Sequence, residues 1–518
     1  MLRRFLPALL FLAACGPESY DTVIVGAQIL DGTGEAGYVA DVGIRQDRIA
    51  RIRADLDTTG ARVIDATGLV LAPGFVDVHA HLEPLHSLPG AESMVRQGVT
   101  TALGGPDGGG PWPLAGYLDE TEAMGVGINV AYLVGHNSIR RAVMGLENRA
   151  PTPAEQDSME AMVASAMEAG AFGISTGLKY LPGAFSELDE LIALSRVAAT
   201  HGGIYTSHLR EEGLGLIPAV AEAMQIGAEA RIPVVLTHHK AIGQPMWGAS
   251  ARTLAMVDSA RASGTDVMMD QYPYTASYTG ITVMVPAWAM AGDSLLLRME
   301  DPELADSVLA GIAYNIENDR GGGDLDRVQF ALVEWDRSLE GRTLGDWARD
   351  LGLADTPDVG AELVIEAIRR GGASCVFHAM HEDDVRAIMQ HPMTMVASDG
   401  RLVALGDGHP HPRWYGTFPR VLGHYARDEG VLTLAEAVRK MTGLPASRLD
   451  LKDRGIVREG AFADLVLLDP RTVIDRATFE EPHQYPEGIL WVWVNGVPAV
   501  EDGEFRNARS GSVLRRGR

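Results

Sequence analysis

Between Gly74 and Asp399 the chain repeats one pattern eight times: a short apolar run, followed in most cases by a longer stretch with helical spacing. The runs are GFVDVHAH, TTALGG, INVAYLVGH, FGIST, GIYTSH, PVVLTH, DVMMDQ and TMVASD. PAEQDSMEAMVASAMEAG, SELDELIALSRVAATHG and ARTLAMVDSARASG lie between some of them and carry apolar residues at helical intervals. Strands joined through helices run parallel, and eight such units close into a barrel. The expected class is therefore α/β, a (β/α)8 TIM-like barrel over residues 72–452.

The ends of these runs are chemically distinctive. The first ends in HAH (His79, His81), the fifth in His208, the sixth in His238 of THHK, and the last in Asp399. Residues two apart in a strand point to one side, so His79 and His81 can offer both imidazoles to one ion. A single histidine of this kind is as easily an ordinary hydrogen-bonded side chain. Four strand ends in the same register, at the barrel mouth where active sites are built, point instead to a metal-dependent hydrolase.

With 518 residues and 46% hydrophobic content the chain is long enough for a barrel and an accessory domain. Residues 21–71 hold DTVIVGAQIL, DVGIRQDRIARI and RVIDATGLVL, separated by Gly and Asp turns. After the barrel, EGAFADLVLLD and ILWVWVNGVPAV also read as strands. A small β-sandwich domain made from both chain ends, residues 21–71 and 453–510, is expected. The interval from about 286 to 393 is too long for one connection, and should hold extra helices near 301–317 and 344–370 as a lid or wall.

A formal net charge of −25 excludes a nucleic-acid partner, because phosphate binding needs a basic field. Residues 1–20 read as a leader and linker. Arg3 and Arg4 precede an apolar stretch from Leu6 to Leu12, and Leu12-Ala13-Ala14-Cys15 resembles a bacterial lipobox. That stretch is too short to span a bilayer. Cleavage before Cys15 and lipidation of that cysteine are expected, with Gly16 favouring the outer membrane and the chain facing the periplasm. Membrane contact would then run only through the anchor. Cys375, the one other cysteine, would have no disulfide partner and is expected to be a buried small residue.

The motifs PGFVDVHAH, QGVTT, GAFGISTGLKYLPG, TSHLREE, THHK, DQYPY, SDG, HPHPRWYGTFPRVLG, GAFADLVLLDP and PHQYPEGILWVWVNGV occur in this order. In them the sequence resembles the amidohydrolase superfamily and, more narrowly, the N-acyl-D-amino-acid deacylase (D-aminoacylase) family, from residue 21 to about 505. The resemblance implies one or two zinc ions, with His79 and His81 at one position and His208 and His238 at the other. It implies a bridging side chain after QGVTT, a cysteine in the family; here Asp107 takes that place, a harder ligand. Lys179 in GLKY is a rival bridge if carboxylated, as in some amidohydrolases. A turn among glycines is the plain alternative for Asp107.

By the same resemblance Asp399 is both a metal ligand and the general base, taking a proton from the attacking water and giving it to the departing amine. Lys240, Tyr272 and Arg413 are to bind the carboxylate of a small N-acyl amino acid or dipeptide. His378, His409 and His411 are left as supporting histidines. The implied reaction is hydrolysis of N-acyl-D-amino acids. A cyclic-amide hydrolase, an L-dipeptidase and a non-catalytic binding lipoprotein are the other readings. Asp399 argues against the last, since a binding protein has no use for a general base.

Overall fold

The computed structural model describes residues 19–517; the expected leader with Arg3, Arg4 and Cys15 lies outside them. The eight apolar runs form eight barrel strands. In order these are Phe75–Asp77 with Ala80–His81, Val99–Gly104, Asn129–Tyr132 with Val134–Gly135, Gly173–Gly177, Ile204–His208, Val234–Leu236, Val267–Gln271, and Thr394–Val396 with Gly400–Arg401. Successive strands pair in parallel, and the ring closes where Gly400 and Arg401 pair with Ala80 and His81. Every residue of Val99–Gly104 and Gly173–Gly177 is buried, as befits parallel strands covered on both faces.

The ends of one crossover helix show how caps set its limits. Helix Pro153–Ala169 opens on a reciprocal Thr152–Glu155 capping box with proline in its first turn, and stops at Gly170, whose φ of 110° suits glycine. Its Met159, Val163 and Ala166 pack into the barrel's main core. No helix among the described residues is long and apolar enough to cross a membrane.

Both chain ends meet in one hydrogen-bonded sheet of nine strands. Leu465–Leu468 lies antiparallel to Val70–Pro73, which joins the N-terminal strands to the C-terminal ones. One face buries Ile24, Val42, Ile49, Leu465 and Trp493 in a core of its own. The other places Val70, Val466 and Val492 in the barrel core. The expected small β domain from both chain ends is present, its strands joined in one sheet that curls so that Ile49 and Trp493 share a core.

The excursion between the seventh and eighth strands opens earlier than the sequence indicates. Ser277–Gly280 already pairs with Ser374–Phe377, which also pairs with Val328–Leu332, in a small antiparallel sheet. The expected helix over 344–370 is two, Leu344–Asp350 and Pro357–Arg369, because Thr356 caps a new start before Pro357. These elements share a separate core that includes Ile312, Phe330, Val364 and Cys375. Cys375 is fully buried, and burial pushes its thiol well up.

Candidate metal centre

At the C-terminal mouth of the barrel, the ligand atoms of His79, His81, Asp107 and Asp399 lie within 4.8 Å of one another, as do those of Asp107, His208 and His238. Asp107 belongs to both groups. Its Oδ1 is 3.4 Å from His79 Nε2, 3.5 Å from His238 Nε2 and 3.8 Å from His208 Nδ1, while Oδ2 is 3.4 Å from His81 Nε2. Asp399 Oδ1 lies 3.5 Å from His79 Nε2 and 3.2 Å from His81 Nε2. Lys179 is elsewhere: its ammonium pairs with Glu211 at 2.5 Å and stands 3.7 Å from Asp319, so the rival bridge is excluded.

The chain turns sharply to deliver these groups. Asp107, His238 and Asp399 sit at φ of 54°, 35° and 45°, left-handed conformations that cost energy and cluster at functional sites. After Asp107 only glycine fits, because a Cβ on Gly108 would stand 2.2 Å from Asn137 Oδ1. Two buried carboxylates that sequence reading missed hold the other turns. Asp77 accepts from the backbone N–H of His79 and of Ser398 at 3.2 and 3.0 Å, and from the Ser398 hydroxyl. Asp270 accepts from the His238 N–H at 2.6 Å. Burial pushes Asp77 up to about 6, against the pull of the Ser398 bonds. The signal was present in FVDVHAH and VMMDQ, where an aspartate interrupts an apolar strand and therefore needs a partner.

The cluster's polar atoms are not satisfied by protein. Both ring nitrogens of His79 and of His208, and Asp107 Oδ1, are buried without a hydrogen bond. Leaving such atoms unpaired is costly; a cation accounts for His79 Nε2, His208 Nδ1 and Asp107 Oδ1, while His79 Nδ1 and His208 Nε2 face the carboxylates of Asp270 and Glu212 at 3.7 Å. Electrostatics agree. Burial alone would push His79 down, yet the charges of Asp107 and Asp399 lift it to about 10. Burial would raise Asp107, but His79 and His238 hold it well below the usual carboxylate range. The negative potential that draws a proton to His79 would draw a divalent cation, and imidazoles with carboxylates are a ligand set for zinc-type ions.

Glu212 was also missed. Lying four residues past His208 and 2% exposed, it has Oε1 3.2 Å from His238 Nδ1 and 2.6 Å from Lys240 Nζ, with Oε2 3.7 Å from His208 Nε2. A carboxylate there can accept a hydrogen bond from the Nδ1–H of His238, which fixes the tautomer and leaves Nε2 free for a metal. Lys240 Nζ also donates to the His238 carbonyl at 2.9 Å and stands 2.6 Å from its Nδ1. Its bonds to Glu212 and to the His238 carbonyl hold His238 in place when Nδ1 carries the proton.

Arg413 and Tyr272 are less committed. Arg413 Nη2 pairs with Asp399 Oδ2 at 3.0 Å, while its Nε and Nη1 and the Tyr272 hydroxyl are buried without partners. The guanidinium stands 4.5 Å from the Tyr272 ring. His411, fully buried, bonds the Ala276 carbonyl through Nε2 at 2.9 Å and accepts from the Arg413 N–H at 3.0 Å, fixing that arginine. His409 bonds the Phe479 carbonyl, and His378 faces Gln329. All of the metal-group residues except His79 line one cavity of about 330 Å³, together with Lys240, Tyr272 and Arg413.

The Amidohydrolase family pattern matches residues 62–246 and 326–500. A D-aminoacylase of Alcaligenes xylosoxydans xylosoxydans is 37% identical, over 96% of this chain and 98% of its own. An N-acyl-D-glutamate deacylase of the same organism is 39% identical, over 96% and 97%. Among solved structures, the N-acyl-D-glutamate deacylase of Bordetella bronchiseptica, in complex with zinc and a phosphonate mimic of the tetrahedral intermediate, superposes with a TM-score of 0.80 at 36% identity, covering 96% of this chain and all of the other. By this match and by the ligand groups at its barrel mouth, the chain belongs to the amidohydrolase family.

Proposed function

We propose that the protein hydrolyses the amide bond of N-acyl-D-amino acids, with zinc held by His79, His81, Asp107, His208, His238 and Asp399. The observation that carries this reading is a set of orphaned donors, Arg413 Nε and Nη1 and the Tyr272 hydroxyl, buried beside a carboxylate that faces the metal groups. A substrate bearing a free carboxylate satisfies them, whereas a cyclic amide does not need them. The D configuration is supported by the likeness to D-aminoacylase and N-acyl-D-glutamate deacylase.

When bound, the ion polarises the amide carbonyl and lowers the pKa of water toward neutrality. Asp399 does the proton work. Arg413 holds its Oδ2, so Oδ1 is left facing the histidines. Asp399 takes a proton as water attacks the carbonyl carbon, and returns it to the amine nitrogen as the C–N bond breaks, leaving a carboxylic acid and a free amino acid. Burial would raise the Asp399 carboxyl, but Arg413 and the histidines hold it low and ionised, as a base must be. Arg413 and Tyr272 bind the substrate carboxylate, and Glu212 and Lys240 keep His238 in place.

The test is a panel of N-acetyl-D-amino acids, N-acetyl-L-amino acids, L-Xaa-D-Xaa dipeptides and dihydropyrimidines, assayed with purified protein of measured zinc content. Turnover of the D-series is expected; turnover confined to cyclic amides would overturn the substrate class. For its location, the Leu12–Cys15 run supports a lipid-anchored protein facing the periplasm. Labelled palmitate should enter the wild type and not Cys15→Ser, and equal labelling would refute the anchor.

A further inference from the structure

We infer that the acyl group this enzyme removes is a long apolar chain, housed in a second chamber next to the catalytic pocket. The inference rests on the N-acyl-amino-acid reading above and adds the identity of the acyl group.

The second chamber has a volume of about 650 Å³ and lies between the barrel and the excursion that follows the seventh strand. Tyr180, Thr279 and Gly280 line both it and the catalytic cavity. They mark where the two meet. The Tyr180 ring stands 4.5 Å from the ring of His208, so the boundary adjoins the metal groups. Gly280 leaves room there, since an added Cβ would meet only Thr282 Oγ1, at 3.6 Å.

Barrel topology decides which end of the substrate faces this boundary. Tyr272 and Arg413, the carboxylate partners, follow the seventh and eighth strands, while Tyr180 follows the fourth. In a ring of eight the fourth and eighth strands are opposite. A substrate with its carboxylate on Arg413 and its carbonyl over the histidines therefore directs its acyl group toward Tyr180.

The walls decide what that group is. Leu178, Leu181, Val283, Val285, Pro286 and Met290 supply the apolar surface. Of the cations in the walls, Lys179 pairs with Glu211 at 2.5 Å and Arg210 with Glu222 at 2.8 Å and with the Ala184 and Ser186 carbonyls, while the exposed Arg141 donates to the Leu181 carbonyl at 3.2 Å. An anionic acyl group finds Lys179 and Arg210 already paired and Arg141 at the exposed rim, whereas a hydrocarbon chain is buried against the apolar side chains within. The volume falls in the range that encloses a drug-sized ligand, ample for an octanoyl to dodecanoyl chain.

The experiment compares kcat/KM of the zinc-loaded protein for N-acetyl, N-octanoyl and N-dodecanoyl forms of one D-amino acid. Each methylene buried should raise kcat/KM by up to roughly fourfold, and the octanoyl form should exceed the acetyl form by at least about tenfold. Ala287→Trp and Thr282→Trp, made separately, fill the chamber and should erase that gain while leaving N-acetyl turnover unchanged. A variant that has lost N-acetyl turnover is judged misfolded and the other decides. A kcat/KM that is flat or falls with chain length overturns the chamber's role and leaves the proposed hydrolysis standing. Should no N-acyl amino acid be hydrolysed, the proposed function fails; calorimetry with octanoate against acetate then reads the chamber directly, and equal affinities overturn it as well.

Discussion

The two halves of the metal centre differ in depth and in backing. The His208 and His238 side chains are 4% and 2% exposed and lean on the buried Glu212–Lys240 pair. In the other half His79 is fully buried, His81 is 28% exposed, and Asp399 is tied to Arg413 and faces the pocket. Only Asp107 belongs to both. A ligand pair buttressed from behind, away from solvent, is built to retain an ion. A half that opens to solvent at His81 and carries a carboxylate with a mobile proton is built for turnover.

The sharpest way to break this division is Asp399→Asn. Turnover should fall by about 10²–10⁴-fold while zinc content by elemental analysis stays at the level set by the deep half. A near-normal rate would take the base role from Asp399. Arg413→Met comes next. Loss of charge-assisted bonds to the substrate carboxylate should lower kcat/KM for the N-acyl amino acid roughly 10- to 100-fold more than for an N-acyl amine without a carboxylate, which feels only the loss of the Asp399 partner. An equal loss on both substrates would make Arg413 a support of Asp399 alone.

Glu212→Gln addresses retention. Zinc affinity, measured by competition with a chelator, should weaken about 10- to 100-fold, and more than in His81→Gln. The reverse ranking would mean that the exposed half holds the ion. The smallest effect is expected from Tyr272→Phe, which removes one neutral hydroxyl and should raise KM by roughly 2- to 10-fold with kcat little changed. A drop in kcat with KM unchanged would place that hydroxyl at the reacting atoms instead.

The eight strands were legible because a strand buried on both faces must be a short apolar run, and because a functional barrel mouth puts polar residues where the runs end. His79, His81, His208, His238 and Asp399 were found for that reason. The supports were not. Asp77 and Ser398 are 321 positions apart, and Asp270 lies 32 residues beyond the His238 amide it accepts from. Glu212 stood in TSHLREE, where one of two adjacent glutamates turns inward and the other pairs with Lys179. The excursion's sheet joins Ser277–Gly280 to Ser374–Phe377, a pairing that no local periodicity reports.

The chain alone determined the kinds of element, their number and the donors each strand end would carry, since hydrophobic period and turn chemistry act over a few residues. Closure of the ring, in which Gly400 pairs with Ala80, decided which donors meet. It made Asp107 common to both groups, turned Lys240 toward Glu212 and left Arg413 with free donors. Those outcomes depend on contacts between residues hundreds of positions apart, and such contacts exist only once the core has packed.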